Sequence, residues 1–246
     1  MWDRPDTLNR VADFMIACAM LLGLYGALHY LVRLPLFPLR EVRLTHAVSL
    51  VSRDQLELLI QREVRGNFFT VDLAALRAAF ARLPWVRNVS MRRTWPDRLE
   101  VTLEEHAPLA RWGDSALVNS HGEVFSAAYD GKLPLFIGPA DAAKEIAIQH
   151  DYFRRALAVI DKVPEQIQLT PRRAWQVRLD DGTTLELGRE QIEARLARFV
   201  AAYRRTVEPL GRKIEAVDLR YANGFAVRIP ELRDERNAPR RRKTLS

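Results

Sequence analysis

The sequence LPWVRNVSMRRTWPDRLEV, from Leu83 to Val101, decides how the first folded part of this chain is organised. Pro84 is expected to stop a preceding helix, because its ring fixes φ and removes a backbone donor. Val89 and Met91 then alternate with polar residues, which is typical of a half-buried strand. Trp95 to Arg98 supply turn residues before a second alternating run. The stretch therefore predicts a β-hairpin.

The arginines of this stretch could form either a nucleic-acid surface or the solvent face of a strand. Arg92 belongs to the outward positions of the first strand, whereas Glu100 and Glu104 belong to the outward positions of the second. Opposite charges on facing strands can pair across a hairpin. This pairing accounts for the arginines, and we predict no nucleic-acid partner.

Two short helices are predicted upstream of the hairpin. Ser52 and Gln55 have the spacing of a capping box, and the apolar helical face that follows ends near Gly66. Asp72 is a candidate N-cap for the second helix. The stretch EVRL at 41–44 is a plausible strand, so the predicted order is strand, helix, helix, strand, strand.

An apolar segment lies near the N-terminus. From Phe14 to Val32, nineteen residues carry no formal charge. A helix of that length spans roughly 28 Å, which is close to the thickness of a bilayer core. We therefore predict an uncleaved transmembrane helix. Arginines flank it on both sides, and long domains cross membranes largely regardless of charge, so the residues alone leave its orientation open.

The remainder of the chain alternates between strand and helix patterns. An amphipathic helix follows 133–139, and 172–189 reads as a hairpin with a turn at Asp181-Gly182. A second amphipathic helix begins near Ile192. The last apolar segment, 217–229, predicts two strands around Asn223-Gly224.

The composition and motifs give no sign of catalysis. The chain of 246 residues has a net charge of +7 and one cysteine, Cys18, which excludes an intrachain disulfide. It contains no nucleophile elbow, phosphate loop or zinc-protease motif. His106, His121 and His150 are too scattered to indicate a metal site. We predict a protein that is not an enzyme, with no cofactor, no metal and no small-molecule substrate.

The order of elements resembles a POTRA (polypeptide-transport-associated) module, and three motifs resemble the FtsQ/DivIB family of bacterial cell-division proteins. The motifs are Pro-Trp-Val at 84–86, Arg-x-Trp-Pro at 93–96 and Glu-His-x-Pro-x-Ala-x-Trp at 105–112. The resemblance continues in order to the last strands. It implies an α+β fold, in which a single N-terminal transmembrane helix precedes a β-α-α-β-β module and a mixed β-sheet domain with two helices.

The resemblance also implies domain boundaries and a location. We expect a short cytoplasmic N-terminus at 1–13, a transmembrane helix at 14–32, a linker at 33–38, a POTRA domain at 39–106, a C-terminal β domain at 107–232 and a disordered basic tail at 233–246. The implied protein is a single-pass type II protein of the bacterial inner membrane. Its bulk lies in the periplasm, and it is enriched at the division septum.

The function implied by the resemblance is that of a non-enzymatic divisome scaffold. Such a scaffold binds FtsB and FtsL through its periplasmic domain, binds other divisome proteins through its POTRA domain, and links early division proteins to septal peptidoglycan synthesis. The family's FtsB-recognition positions correspond here to Arg172, Arg220, Tyr221, Asn223 and Gly224. A strand at a sheet edge can also accept a partner's strand, which adds Phe225, Ala226 and Val227.

Three other functions are compatible with parts of the sequence. A POTRA-containing envelope assembly or secretion factor would chaperone other proteins, but the alternating strands of a membrane barrel do not follow. A membrane-anchored envelope enzyme would need a catalytic constellation. A membrane-tethered nucleic-acid binder would use the basic tail, which would then have to face the cytoplasm.

Overall fold

The computed structural model of the protein describes residues 5–34, 37–46 and 48–230. The chain divides between His106 and Ala107 into two units. The first contains the N-terminal helix and a three-stranded sheet, and the second contains a nine-stranded sheet. The predicted α+β fold class is confirmed. The tail predicted at 233–246 lies outside the described residues.

The N-terminal helix, α1, extends from Pro5 to Arg33. The segment from Asn9 to Arg33 is long and apolar enough to cross a membrane. None of it is buried by the rest of the protein. The helix predicted at 14–32 is therefore present and is longer at both ends.

The rest of the first unit has the predicted β-α-α-β-β order. Its sheet has the strand order β1-β3-β2, in which β1 runs parallel and β2 antiparallel to β3. Leu76, Phe80 and Leu99 are fully buried between the helices and the sheet. The elements are β1 (Glu41–Leu44), α2 (Arg53–Glu63), α3 (Leu73–Phe80), β2 (Val86–Thr94) and β3 (Arg98–Glu105).

The hairpin of β2 and β3 follows the predicted pattern. Val89 and Met91 are buried on one strand, and the buried residues of the other strand alternate with Glu100, Thr102 and Glu104. Arg92 forms an ion pair of 2.6 Å with Glu100 on the facing strand. The charge pairing predicted from the sequence is thus confirmed. The turn contains a cis peptide bond between Trp95 and Pro96.

The two helix starts differ in how they are capped. The Asp72 carboxylate accepts hydrogen bonds from the backbone N–H groups of Ala74 and Ala75 at 2.9 and 3.0 Å, as predicted. Ser52 is the N-cap residue of α2, but its side chain makes no capping hydrogen bond, so the predicted capping box is wrong. The loop that enters α2 is held instead by Glu105, which lies far away in the sequence.

The second unit is built on a sheet with the strand order β12-β11-β10-β9-β8-β7-β4-β5-β6. The two predicted helices, α4 (Ala143–Ala158) and α5 (Ile192–Thr206), are present. A 3₁₀ helix covers Glu208–Leu210. The strands are β4 (Pro108–Trp112), β5 (Ala116–Asn119), β6 (Val124–Phe125), β7 (Leu135–Ile137), β8 (Pro164–Leu169), β9 (Trp175–Leu179), β10 (Thr184–Gly188), β11 (Ala216–Asp218) and β12 (Ala226–Arg228).

Aromatic contacts join the helices to this sheet. Phe153 of α4 packs edge-on against Trp175 of β9, with the ring centroids 5.7 Å apart. Phe199 of α5 packs edge-on against Phe225, also at 5.7 Å. Because Phe225 directly precedes β12, the second contact ties the last strand to the core.

The connection between the last two strands differs from the sequence prediction. The pattern predicted a turn at Asn223-Gly224 between strands that together cover 217–229. The structure has a longer connection, residues 219–225, and a three-residue β12 that begins after Phe225. Gly224 does not have a positive φ, so it does not form the tight turn that an Asn-Gly pair favours.

Candidate partner-binding edge

Strand β12 forms one edge of the nine-stranded sheet. Within the part of the chain that the structure describes, β12 pairs only with β11, in antiparallel orientation. The register places Val217 opposite Val227 and Asp218 opposite Ala226. An edge strand presents backbone groups that another strand can bind.

The register shows which backbone groups of β12 point outwards. The Leu219 N–H donates to the Glu186 carbonyl at 2.9 Å, so the backbone of Leu219 faces β10. The N–H and C=O groups of successive strand residues point to opposite sides, so Asp218 faces β12 and pairs with Ala226. By the same alternation, the N–H and C=O of Val227 point away from β11, to the open edge.

The side chains of β12 alternate between the core and solvent. Phe225 and Val227 are half-buried and pack against the hydrophobic core, whereas Ala226 and Arg228 are exposed. This is the alternation that the sequence predicted for the last strand. It fixes one face of the strand on the core while its edge stays open.

Residues 219–225, the connecting loop, carry an exposed aromatic side chain. Tyr221 is 58% exposed, and the shallow depression beside it is lined by residues 221–226. The Arg198 guanidinium of α5 donates hydrogen bonds to the carbonyls of Tyr221 and Ala222. The helix therefore holds the backbone of the loop while the tyrosine ring remains accessible.

Arg220 is engaged within the protein. Its guanidinium lies 2.6 Å from the Asp218 carboxylate and 3.1 Å from that of Glu186. The hydrogen bonds from Arg220 hold the pKa of Asp218 below its ordinary value, and the same contacts raise the pKa of Arg220. Arg220 thus pairs with two carboxylates, one at the end of β10 and one at the end of β11. Its side chain nevertheless remains 58% exposed.

Arg172 lies at the same end of the sheet as the connecting loop. It is exposed in the turn that precedes β9, and the start of β9 pairs with Gly188 at the end of β10. Strand β10 runs parallel to β11, with Glu186 opposite Asp218. The fold therefore brings Arg172 to the end of the sheet where Arg220 and Tyr221 lie.

Sequence reasoning missed the residues of α5 that support this end. Besides Arg198, Arg195 donates to the Leu187 carbonyl at 2.6 Å. Gly188 has a φ of +77°, and a β-carbon there would lie 2.7 Å from the Arg195 guanidinium. The signal available in the sequence was the spacing of Arg195 and Arg198, which places both on one face of a helix.

Metal-binding side chains are not clustered in the described part of the chain. Across residues 5–34, 37–46 and 48–230, no group of three or more His, Cys, Asp or Glu side chains is arranged to hold a metal ion.

His150 is buried against Phe136, with ring centroids 5.3 Å apart, and burial lowers its pKa. Its environment is that of a core histidine.

An apolar N-terminal helix, a β-α-α-β-β module and a mixed sheet with an open edge define a membrane-anchored POTRA protein. Residues 37–106 match the family model for the POTRA domain of FtsQ type, and residues 110–220 match that for the C-terminal part of cell division protein FtsQ/DivIB. The chain belongs to the FtsQ/DivIB family of cell-division proteins.

Curated relatives support the same family over nearly the whole chain. Cell division protein FtsQ of Nitrosospira multiformis is 46% identical over 233 residues, which cover 93% of this chain and 99% of the relative. The FtsQ protein of Burkholderia pseudomallei is 40% identical over 95% of this chain and 96% of its own length. That of Neisseria gonorrhoeae is 32% identical over 96% of this chain and 100% of its own length.

Family membership confirms the resemblance read from the sequence motifs. It supports a role in the divisome, and α1 has the character of the membrane helix in a single-pass protein. The POTRA module and the division function thus rest on matches to both units of the chain.

Proposed function

We propose that this protein is a non-enzymatic division scaffold of the inner membrane that binds FtsB and FtsL through its C-terminal domain and links early division proteins to septal peptidoglycan synthesis. The observation that carries the proposal is the open edge of β12, where the N–H and C=O of Val227 point away from the sheet. Family membership favours this function over a general envelope assembly factor.

The binding mechanism that fits this edge is β-strand addition. A partner strand beside β12 would hydrogen-bond to Val227 through its own backbone, which extends the sheet without requiring a particular partner sequence. Neighbouring side chains then provide specificity. The exposed ring of Tyr221 supplies apolar contact area beside the added strand. Asn223 and Gly224 line the depression in which a partner side chain can lie.

The two arginines have different parts in this proposal. Arg172 is exposed and meets an acidic group of the partner. Arg220 organises the loop, because its contacts with Asp218 and Glu186 already use its charge. A partner carboxylate near Arg220 would have to compete with two carboxylates of the protein itself.

The proposed topology follows that of the family resemblance. Residues 1–13 are cytoplasmic, residues 14–32 of α1 span the inner membrane, and both folded units lie in the periplasm, which is type II topology with enrichment at the septum. The POTRA domain at 39–106 binds further divisome proteins. A periplasm-active reporter fused to the C-terminus tests the topology, and a fluorescent fusion in dividing cells tests the septal location.

Proline substitution at the edge tests β-strand addition directly. Val227→Pro removes the outward N–H, so we expect capture of FtsB and FtsL by the membrane-reconstituted protein to fall to background. Val124→Pro is the matched control. Val124 lies in β6 at the opposite edge, and its backbone also points outwards, since the Asn119 N–H donates to the carbonyl of the adjacent Glu123. Equal capture by both variants would refute strand addition at β12.

A further inference from the structure

The POTRA module makes a direct hydrogen-bonded contact with the end of the membrane helix. Asn67, in the loop between α2 and α3, is only 5% exposed. Its side-chain NH₂ donates to the carbonyls of Val32 and Leu34 at 2.7 and 2.9 Å. Carbonyls at the end of a helix lack intrahelical partners and need such donors. A side chain of the module therefore caps α1.

Residues 37–40, which follow α1, contact two loops of the module. The Phe37 carbonyl accepts a hydrogen bond from Phe68 in the α2–α3 loop at 2.9 Å. The Arg40 N–H donates to the Asp97 carbonyl in the β2–β3 turn at 3.0 Å. Since three residues extend about 10 Å, both loops lie close to the same short segment.

A side-chain contact also joins the α2–α3 loop to the last residues of β2, next to the β2–β3 turn. The Arg93 guanidinium, at the end of β2, donates to the Val71 carbonyl at the end of the α2–α3 loop, at 2.7 Å. We call residues 66–70 together with residues 95–97 the capped end of the module. Asn67 of the capped end contacts the end of α1, and Asp97 contacts the chain that follows it at Arg40.

The capped end exposes aromatic side chains. Outside α1, the described part of the first unit has three exposed large hydrophobic residues, Leu58, Phe69 and Trp95. Two of them belong to the capped end, and Trp95 is 74% exposed. Phe69 also packs edge-on against Phe37 with ring centroids 5.2 Å apart. Exposed aromatic rings are costly in water but favourable at a membrane surface, where tryptophan in particular accumulates.

We propose that the capped end lies in the lipid–water interface, with Phe69 and Trp95 inserted among the lipid headgroups. The membrane helix ends at this surface, so the bilayer is the partner that is already adjacent. Exposed basic residues nearby, Arg33, Arg40 and Arg65, can form charge-assisted hydrogen bonds with lipid phosphate groups. Insertion at two loops would fix the tilt of the POTRA module relative to the membrane, in addition to tethering it. It also gives a role to the Trp-Pro turn, which partner binding at β12 does not use.

Site-directed spin labelling of the full chain in vesicles tests the proposal. Cys18 is the only cysteine, so Cys18→Ser provides a background for single labels. Labels at Phe69→Cys and Trp95→Cys are compared with a label at Leu58→Cys, which is exposed on α2 of the same unit. In vesicles of phosphatidylethanolamine and phosphatidylglycerol, the ratio of oxygen accessibility to that of a water-soluble nickel chelate should be several-fold higher at 69 and 95 than at 58.

Controls separate insertion into the bilayer from burial against a protein partner. A label at Leu22→Cys in α1 gives the value for the membrane interior, and circular dichroism checks that each variant is folded. If Phe69→Cys does not fold, Trp95→Cys still decides, because Trp95 is largely exposed. Ratios at both sites equal to that at Leu58 would overturn the proposal. Shielding that arises only after FtsB and FtsL are added would also overturn it, since a protein partner would then cover the site.

Discussion

Glu105, the last residue of β3, binds the backbone of Val51 across 54 positions of sequence, with the Val51 N–H donating to its carboxylate at 2.8 Å. The N–H groups of Ser49 and Leu50 donate to the same carboxylate at 2.9 Å. Three adjacent donors converge on one acidic group. The carboxylate therefore fixes the loop that leads into α2, a task that a local capping box would otherwise perform.

Glu105→Gln should destabilise the first unit by about 1 kcal/mol at neutral pH, because both carboxylate oxygens accept hydrogen bonds and the amide has only one oxygen, which is neutral and accepts more weakly. The loss is moderated because the site is partly open to solvent. Burial alone would raise the pKa of Glu105, but the hydrogen bonds from Ser49, Val51 and Leu50 outweigh it and the pKa is lowered. The group is thus more acidic when folded, so its contribution is present above the unfolded pKa of 4.5 and is lost as the pH falls through the lower folded value.

Urea unfolding at pH 7 and in acid measures this difference. Glu104→Gln is the neighbouring control, since Glu104 forms an exposed ion pair with Arg87 and should matter little. A loss of stability for Glu105→Gln that is the same at pH 7 and well below the folded pKa would exclude a charge effect. It would then reflect only the altered shape of the side chain.

Tyr221→Ala should weaken FtsB binding by about 2 kcal/mol, or roughly thirtyfold, if the ring is a central aromatic contact of the interface. The folded domain should be unaffected, because the side chain is 58% exposed and its backbone carbonyl, which Arg198 binds, remains. Calorimetric titration of the reconstituted protein gives the affinity. Ile148→Ala, an exposed apolar residue on α4, is the control, and an equal effect of the two changes would argue against a specific role for Tyr221.

Arg220→Ala and Arg172→Ala should separate loop organisation from partner contact. Loss of Arg220 leaves the carboxylates of Asp218 and Glu186 without their shared cation, so the pKa of Asp218 should rise towards its ordinary value and stability near neutral pH should fall. Arg172→Ala should leave stability unchanged and should weaken binding more at low than at high salt. Carbon-detected NMR of the Asp218 carboxyl measures the pKa. An unchanged Asp218 titration in Arg220→Ala would contradict the internal role.

Gly188→Ala should cost more stability than Gly182→Ala, although both glycines have positive φ, +77° and +85°. At Gly182 the added methyl group meets open space, so only the backbone strain of about 1 kcal/mol applies. At Gly188 it would come within 2.7 Å of Arg195 and 3.2 Å of Arg220 and displace them. Thermal unfolding of both variants gives the two losses of stability, and their difference is the contribution of the packing of Arg195 and Arg220 against Gly188. Equal losses of stability would show that this packing contributes nothing.

The parts of this fold that could be predicted from sequence are those set by local periodicity. Val89 and Met91 alternate with polar residues over a whole strand, so the sequence predicted the hairpin. The charge pair of Arg92 and Glu100 was predicted from the same alternation. The capping box failed because its competitor, Glu105, is distant in sequence. No local sequence pattern predicts that a carboxylate at the end of β3 accepts hydrogen bonds from the N–H groups of residues 49–51.

The candidate binding edge shows the same limit. The alternation of Phe225 and Val227 was visible in the sequence, but the open side of β12 depends on the register of three strands. An Asn-Gly pair predicted a tight turn, whereas Arg198 holds the backbone of a longer loop. The ion pair of Arg220 with Glu186 could not be predicted from the sequence, because Glu186 lies 34 positions earlier in the chain.

Asn67→Ala should weaken the connection between α1 and the POTRA module. The Asn67 side chain donates to two carbonyls at the end of α1, and its Oδ1 accepts hydrogen bonds from the N–H groups of Phe69 and Thr70. Removing a buried side chain with this many partners should cost about 2–3 kcal/mol. The loss should be local, so amides of the α2–α3 loop and of the segment after α1 should exchange faster in hydrogen–deuterium exchange of the vesicle-bound protein, while those of β9 and β10 should not change.

Asn88→Ala serves as the control for the Asn67 substitution. Asn88 also accepts a backbone hydrogen bond, from the adjacent Val89, but it is exposed and makes that contact within its own strand. Its replacement should leave exchange after α1 unchanged. If Asn67→Ala likewise leaves those amides protected, the cap does not couple the helix to the module. The module would then be connected to the membrane by the linker alone.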